Sequence, residues 1–308
     1  MATLYTQQSK NVTKTWLLMG AFLALIVAVG YFASYYYSNP FILYIAIVFS
    51  VVTNITGYWF SDTIALKMSG AVEVDTAKST NPERDRELIR IVENLSITAG
   101  LPMPKICIIN DQAPNAFATG RNKEHSAVAV TTGLLDRLDR NELEGVIAHE
   151  LAHIGNRDTL IATVAVILVG LVSIMSDILL RSHMHGGNNN NNRGGGILMI
   201  AGIILLVLSP IFATMLQMAI SRKREFVADA TGALLTRYPE GLASALEKIT
   251  SYSQQGGTPL KKASDATAHM YIANPFGAKA IGGLHKLFMT HPPAEQRIKV
   301  LRSLDINS

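Results

Sequence analysis

Four long runs of apolar residues divide this chain of 308 residues. They cover residues 16–32, 41–60, 159–180 and 197–220. Each run is close to the roughly 20 residues with which a helix crosses the hydrocarbon core of a bilayer. We therefore predict four transmembrane helices in two hairpins, the first of which turns at residues 39–40. For the last two runs, buried helices of a soluble core are the alternative.

The polar segments between these runs predict a further domain that is split in sequence. The predicted divisions are a hairpin at 1–60, a polar part at 61–158, a hairpin at 159–220 and a polar part at 221–308. Apolar spacing predicts helices at 83–98, 225–236 and 240–252 and strands at 105–110 and 126–131. Another helix begins at Asn141, and Pro293 opens the last one. The two polar parts together are therefore predicted to be α+β.

The composition supports a membrane protein. Hydrophobic residues make up 49% of the chain and charged residues only 16%, whereas a soluble domain carries about 25% charged residues. The net charge of +4 is small, so no nucleic-acid partner is expected. The single cysteine, Cys107, excludes an internal disulfide and a C-x-x-C metal site.

The basic residues predict on which side of the membrane the polar parts lie. They occur at the ends of the hairpins that are away from the turns, at Lys10, Lys14, Lys67, Arg157, Arg222, Lys223 and Arg224. The first hairpin turn has no charge, and the second has only two arginines. Because lysine and arginine accumulate in cytoplasmic segments, we predict that both termini and both polar parts are cytoplasmic.

The strongest chemical signal is the H-E-x-x-H motif formed by His149, Glu150 and His153. Residues i and i+4 lie on one face of a helix, so both imidazoles can bind one metal ion. Glu150 can then act as a general base on a metal-bound water. The residues around the motif are apolar, which favours a buried zinc site. Two helical histidines that cap a core are the alternative.

A catalytic zinc site needs a third protein ligand besides water. The metzincin pattern is excluded, because Asn156 and Thr159 occupy the positions of its glycine and its third histidine. Glu225 and Asp229 form another i, i+4 pair, in which Glu225 would bind zinc and Asp229 would fix a ligand histidine. An ordinary solvated acidic face is about equally compatible with this pattern. Two antiparallel spans would return Glu225 to the same membrane surface as His153.

Four segments together resemble one protein family. They are residues 131–135 (TTGLL), 149–153 (HELAH), 221–229 (SRKREFVAD) and 290–293 (THPP). With four predicted spans around them, the chain resembles the membrane zinc metalloproteases of the HtpX heat-shock type. These proteases belong to the gluzincin group, which also includes the CAAX prenyl protease. The resemblance covers most of the chain.

This resemblance implies a metal site and a fold. It implies one Zn²⁺ ion bound by His149, His153 and Glu225, with Glu150 as the catalytic base. The implied fold is a mainly α membrane protein. In it, four transmembrane helices accompany a split α+β, zincin-like catalytic domain in the cytoplasm.

The resemblance also implies a substrate-binding region. Substrate would pair at an edge formed by Asn115, Ala116 and Phe117. His291 would face the cleft and donate to the developing oxyanion, although a core or helix-capping role for this histidine is nearly as compatible with the sequence.

We expect a membrane-anchored zinc endopeptidase of the bacterial inner membrane. It would cleave misfolded or damaged membrane proteins on the cytoplasmic side, so its partners would be these substrates and the bilayer. A prenyl-protein protease is one alternative, although four spans are few for an intramembrane chamber. A metal-binding scaffold without turnover is the other, although such a scaffold has no use for Glu150.

Overall fold

The computed structural model describes residues 4–164, 222–264, 267–277 and 292–304. The chain begins with two long apolar helices, α1 (Leu4–Tyr36) and α2 (Phe41–Trp59), joined by a turn at residues 37–40. Both helices are long and apolar enough to cross a membrane, in agreement with the first predicted hairpin. Helix α1 extends beyond the predicted span, because it already begins at Leu4.

Large apolar side chains cover the outside of this hairpin. The exposed ones include Leu17, Phe32, Phe41, Ile45, Val48, Val52 and Ile55. The two helices pack closely, since a Cβ atom at Gly30 would collide with Ala46. A contiguous exposed apolar surface of this kind is typical of a face that contacts lipid or a partner protein.

The third and fourth predicted spans fall largely outside the described residues. Residues 158–164 are helical, and they cover only the beginning of the third run. The second hairpin and the orientation of the chain therefore stay predictions.

The remaining described elements are helices that pack around a small mixed sheet. In chain order they are α3 (Ser61–Ser69), β1 (Ala71–Glu73), α4 (Pro82–Ala99), β2 (Lys105–Ile109), β3 (Ala116–Gly120), β4 (Ser126–Thr131), α5 (Thr132–Leu135), α6 (Arg140–Gly155), α7 (Arg222–Thr236), α8 (Pro239–Gln254), a 3-10 turn (Ala268–Met270) and α9 (Ala294–Arg302). The strand order is β1-β2-β4-β3. Strands β2 and β4 are parallel, and the outer strands are antiparallel to their neighbours. Strand β3 is therefore at one edge of the sheet.

Local capping signals define the ends of the helices. Asn81 accepts a hydrogen bond from the Arg84 amide at the start of α4, and Gly100 ends that helix with φ 64°. At the start of α6, Asp139 and Glu142 form a capping box, in which each side chain accepts from the backbone N–H of the other residue. A cap of this kind stabilises a helix by about 1 kcal/mol. It also fixes where α6 begins, four turns before its end.

Helix α6 lies at the centre of the hydrophobic core. Its fully buried apolar residues are Val146, Ile147, Ala148, Leu151 and Ile154. Helices α4, α7 and α8 and the sheet pack around it. Glycines allow two of these helices to approach closely. A Cβ at Gly145 would lie 2.6 Å from the backbone nitrogen of Leu242 in α8. A Cβ at Gly232 of α7 would lie 3.0 Å from the backbone nitrogen of His149. Backbone therefore packs directly on backbone around the motif.

The predicted elements agree with the structure where a clear period or cap is present. The predicted helices at 83–98, 225–236 and 240–252 correspond to α4, α7 and α8, and the two predicted strands correspond to β2 and β4. Helix α9 follows Pro293, as predicted. Helices α3 and α5 and strands β1 and β3 were not predicted. Strand β1 has three residues, and β3 (AFATG) is rich in small residues with low strand propensity.

Gly145→Ala should destabilise the protein, because the new Cβ must enter space occupied by the Leu242 backbone of α8. We expect a loss of about 1–3 kcal/mol, measured as a lower melting temperature of the protein purified in detergent. Gly155→Ala is the control in the same helix, since its Cβ meets only ordinary contacts with Leu101 and alanine favours helix. Equal melting temperatures for the two variants would contradict the close packing of α6 on α8.

Candidate metal and active site

Helix α6 carries three polar side chains into the core. His149 and Glu150 are 1% and 2% exposed, and His153 is partly buried. The Nε2 atoms of His149 and His153 lie 3.1 Å apart, and the two rings are perpendicular. The i, i+4 spacing thus places both imidazoles on one face of the helix, as predicted.

Glu225 joins this group from α7. Its carboxylate oxygens lie 3.7 Å from Nε2 of His149 and 3.7 Å from Nε2 of His153. The three side chains offer ligand atoms that all lie within 4.8 Å of one another. Around a tetrahedral zinc ion with bonds of 2.0–2.2 Å, ligand atoms lie roughly 3.4 Å apart, so these separations fit. Two imidazoles also suit zinc better than Mg²⁺ or Ca²⁺, which prefer oxygen ligands.

A carboxylate lies behind each histidine. Asp229 Oδ1 is 2.9 Å from Nδ1 of His149, which is the contact that the sequence predicted for Asp229. Asp158 Oδ2 is 3.2 Å from Nδ1 of His153. These contacts favour a proton on each Nδ1 atom. In the neutral form of each imidazole, the lone pair of Nε2 then faces Glu225, where it can bind a metal ion.

Asp158 was not predicted from the sequence. It follows α6 directly, and it reaches back to His153 because Arg157 has a left-handed backbone with φ 57°. A residue other than glycine seldom adopts this conformation. The only signal in the sequence was an acid close behind the motif.

Arg297 of α9 is another residue of the site that was not predicted, and it is 1% exposed. Its Nε and Nη2 atoms donate to Oδ2 and Oδ1 of Asp229 at 2.9 and 2.6 Å, and Nη1 donates to the carbonyl of Ile272 at 3.2 Å. Nη2 also lies 3.4 Å from the His149 ring nitrogens. The two-pronged contact neutralises Asp229 and orients it toward His149. The available signal was that this arginine lies just after the motif at 290–293.

Burial and neighbouring charges shift the titration of the site. Burial lowers the pKa of His149 to about 4, although Asp229 opposes it. Burial also acts on His153, but the Glu225 and Asp158 carboxylates outweigh it and raise the pKa of His153 to about 9. Burial would raise the pKa of Asp229, yet Arg297 outweighs it and the pKa falls to about 2. Since a metal ion binds neutral imidazole, loading the site at neutral pH displaces a proton from His153.

Glu150 lies near enough to these groups to act on their charges. Burial lowers the pKa values of His153 and Arg297, but the closer carboxylates raise them, and Glu150 adds to this rise. A buried carboxylate beside the imidazole pair is where a general base for water would act. His291 lies outside the described residues, and its predicted role stays a prediction.

The predicted substrate edge at Asn115, Ala116 and Phe117 lies at the start of the edge strand β3. All three residues are buried. The Phe117 ring packs edge-on against Tyr271, with the ring centroids 5.2 Å apart. The edge is therefore present but covered by a later part of the chain.

Residues 271–273 form this cover. The Ile272 N–H donates to the Ala116 carbonyl at 2.9 Å. The Asn115 side chain donates to the Ala273 carbonyl at 3.0 Å and accepts from the Ala273 N–H at 3.3 Å. The partners follow opposite directions along the chain, so residues 271–273 run antiparallel to β3. An extended peptide that added to this edge would use the same Ala116 carbonyl and Asn115 side chain.

Comparison with known proteins identifies the family. The sequence profile of peptidase family M48 matches residues 82–305. The chain belongs to peptidase family M48. It is 46% identical over 311 residues to "Protease HtpX homolog" of Caldanaerobacter subterraneus subsp. tengcongensis, with 99% of each chain covered. It is 44% identical to the protein of the same name from Thermoanaerobacter pseudethanolicus, with 98% of each chain covered.

Among solved structures, the crystal structure of S. mikatae Ste24p is similar to this M48 peptidase. The identity is 16% and the TM-score 0.47, and the match covers 98% of this chain and 67% of that chain.

The family and its curated relatives confirm the resemblance inferred from the motifs. The protein is a metallopeptidase that hydrolyses peptide bonds, and its apolar helices associate it with a membrane. The alternatives of a prenyl-protein protease and of a scaffold without turnover are not favoured.

Arg297→Met should leave Asp229 as a buried carboxylate without its ion-pair partner, because Arg297 Nη2 lies 2.6 Å from Asp229 Oδ1. Removing one partner of a buried ion pair costs about 3–5 kcal/mol, so the melting temperature of the M48 peptidase in detergent should fall. The double variant with Asp229→Asn removes the uncompensated charge and should recover part of this loss. If its destabilisation equals the sum of the two single effects, the two side chains do not act as a pair.

Proposed function

We propose that this M48 peptidase is a zinc endopeptidase of the bacterial inner membrane, with its active site on the cytoplasmic side. Its proposed substrates are misfolded or damaged membrane proteins. The observation that carries the proposal is the group of His149, His153 and Glu225 on two packed helices, with Glu150 beside it. Two imidazoles and a carboxylate are a ligand set of catalytic zinc.

Each residue of this group has a proposed role in the reaction. The two imidazoles and Glu225 hold the zinc ion, and Asp229 and Asp158 orient the imidazoles. When bound, zinc supplies the Lewis acidity that activates water and the scissile carbonyl. Glu150 accepts the proton of the attacking water and returns it to the leaving amine. The family resemblance implies that His291 faces the cleft, and we assign it the role of donor to the oxyanion.

Distances along α1 support a site close to the bilayer surface. Trp16 stacks on Tyr58 near the end of α2, with ring centroids 5.9 Å apart, as aromatic residues do at a membrane interface. Tyr36 lies about 30 Å further along α1, which matches the thickness of a hydrocarbon core. Asn11 lies about 7.5 Å beyond Trp16 in the other direction, and it contacts Asp158 behind His153.

The charges at this end of the hairpin support a cytoplasmic site. Lys14, Lys67 and Arg157 lie there, whereas the turn at 37–40 has no charge. Basic residues accumulate on the cytoplasmic side of membrane proteins. We therefore propose four spans, including a second hairpin at 159–220, with both termini in the cytoplasm.

Substrate would bind as an extended strand beside β3. Ala116 directs its carbonyl outward, where Ile272 now donates to it. A substrate strand in the same antiparallel orientation would replace residues 271–273 on Asn115 and Ala116. Unfolded loops and tails provide such a strand, whereas a folded helix satisfies its own backbone groups.

Glu150→Gln should keep zinc and reduce peptide cleavage by about 10²–10⁴-fold, because the carboxamide cannot accept the proton. Glu225→Ala should instead lose zinc, because only two protein ligands remain. Elemental analysis of zinc per chain and hydrolysis of an unfolded membrane-protein substrate would be measured on the same preparations. Wild-type turnover in Glu150→Gln would refute the base, and full zinc occupancy in Glu225→Ala would refute the third ligand.

Membrane-tethered substrates should be cleaved faster than free ones, because tethering raises their effective concentration near the site. One cleavable sequence would be presented in the same proteoliposomes as a membrane-anchored tail and as a soluble peptide. We expect the tail to be cut at least about tenfold faster at equal bulk concentration. Equal rates would mean that the position of the site near the bilayer does not select substrates.

A further inference from the structure

A polar residue of the first membrane helix is buried behind the candidate metal site. Asn11 is 4% exposed and lies on the part of α1 that precedes Trp16. Its Nδ2 atom donates to Oδ1 of Asp158 at 2.7 Å and to the carbonyl of Asn156 at 3.1 Å. Both hydrogen bonds leave α1 and reach the turn that follows α6.

Asp158 uses its two carboxylate oxygens for different partners. Oδ1 accepts from Asn11 and from Nη1 of Arg224, the latter at 3.2 Å, whereas Oδ2 is 3.2 Å from Nδ1 of His153. Rotation of the carboxylate would break both bonds to Oδ1. Groups from α1 and α7 therefore determine the plane of the carboxylate and, through it, the direction in which His153 points Nε2.

The two histidines differ in what holds their carboxylates. Asp229, behind His149, is held by Arg297 from α9 inside the core. Asp158, behind His153, is held in part by a side chain of a membrane helix. An amide fits this position well, because it donates to Asp158 without adding a charge beside Arg224. The Oδ1 atom of Asn11 lies 3.5 Å from the Nη1 atom of Arg224.

We propose that Asn11 is a positioning residue for the zinc ligand His153, acting through Asp158. The proposal rests on the zinc site of the proposed function. Loss of an orienting partner behind a ligand histidine weakens metal binding by roughly 10–100-fold. The N-terminal hairpin is then a component of the metal site as well as an anchor.

Two substitutions of Asn11 and one neighbouring control test this role. Asn11→Leu keeps the size of the side chain and removes both hydrogen bonds. Asn11→Asp keeps the shape, removes the donor and brings a second carboxylate next to Asp158. Thr15→Val is the control, because Thr15 is 1% exposed one turn further along α1 and its hydroxyl donates to the Asn11 carbonyl within the helix.

The measurements use the full-length protein in detergent. Competition with a chromophoric chelator gives the zinc Kd, and the visible spectrum of Co²⁺ bound in place of zinc reports the geometry of the ligands. We expect Asn11→Leu to raise the zinc Kd by roughly 10–100-fold and Asn11→Asp by at least as much, with altered Co²⁺ spectra. Thr15→Val should keep the wild-type Kd and spectrum. Melting temperatures of the metal-free proteins monitor packing, and Asn11→Asp carries the test if Asn11→Leu does not fold.

Unchanged zinc Kd and Co²⁺ spectra in both Asn11 variants would overturn the proposal. So would an equal loss of zinc affinity in Thr15→Val, since packing of α1 would then explain it. His153→Ala separates this failure from failure of the proposed function. If tight zinc binding is lost in His153→Ala but not in the Asn11 variants, only the positioning role is refuted; if His153→Ala keeps it, the zinc site itself is refuted.

Discussion

Two buried imidazoles can direct their Nε2 atoms toward one metal ion only if hydrogen bonds from their Nδ1 atoms fix the orientation of the rings. Much of the described structure serves this requirement. Carboxylates hold the rings, and each buried carboxylate needs a partner of its own. Arg297 is the partner of Asp229, and Arg224 and Asn11 are the partners of Asp158. These three partners lie on helices α1, α7 and α9. The helices that pack around α6 therefore also carry the polar and charged partners that its motif needs.

The same contacts join the α/β part of the molecule to the membrane helices. One connection is the bond from Asn11 to Asp158. A second is Arg121, in the turn after β3, whose guanidinium lies 4.8 Å above the Trp59 ring and donates to the Trp59 carbonyl at 2.6 Å. One contact lies behind the candidate metal site and the other lies just after β3. The proposed substrate edge and the proposed metal ligands are therefore both connected to the same end of the apolar helices.

Local rules predicted the parts of the fold and site that depend on neighbours in sequence. Helical spacing was enough to bring the two motif histidines together and to predict helix α4. The Glu225–Asp229 pair was recognised but remained open between a ligand pair and a solvated face, because only the packing of α7 on α6 distinguishes them. Asp158 was missed because it depends on the left-handed Arg157, and Arg297 because an arginine in a charged helix ordinarily points to solvent. Strand β3 was missed because its small residues favour a strand only within a sheet.

Residues 271–273 occupy the proposed peptide-binding edge and would compete with a substrate for it. Because this segment belongs to the same chain, its effective concentration at β3 is on the order of millimolar or above. A peptide that pairs with Ala116 alone gains no net binding free energy, because its hydrogen bond only replaces the one from Ile272. A peptide would displace residues 271–273 when it is long and flexible enough to pair with several outward-facing backbone groups of β3 at once. Folded neighbours in a crowded membrane rarely offer such a stretch, so on the proposed function exchange of strands at this edge would favour unfolded substrates.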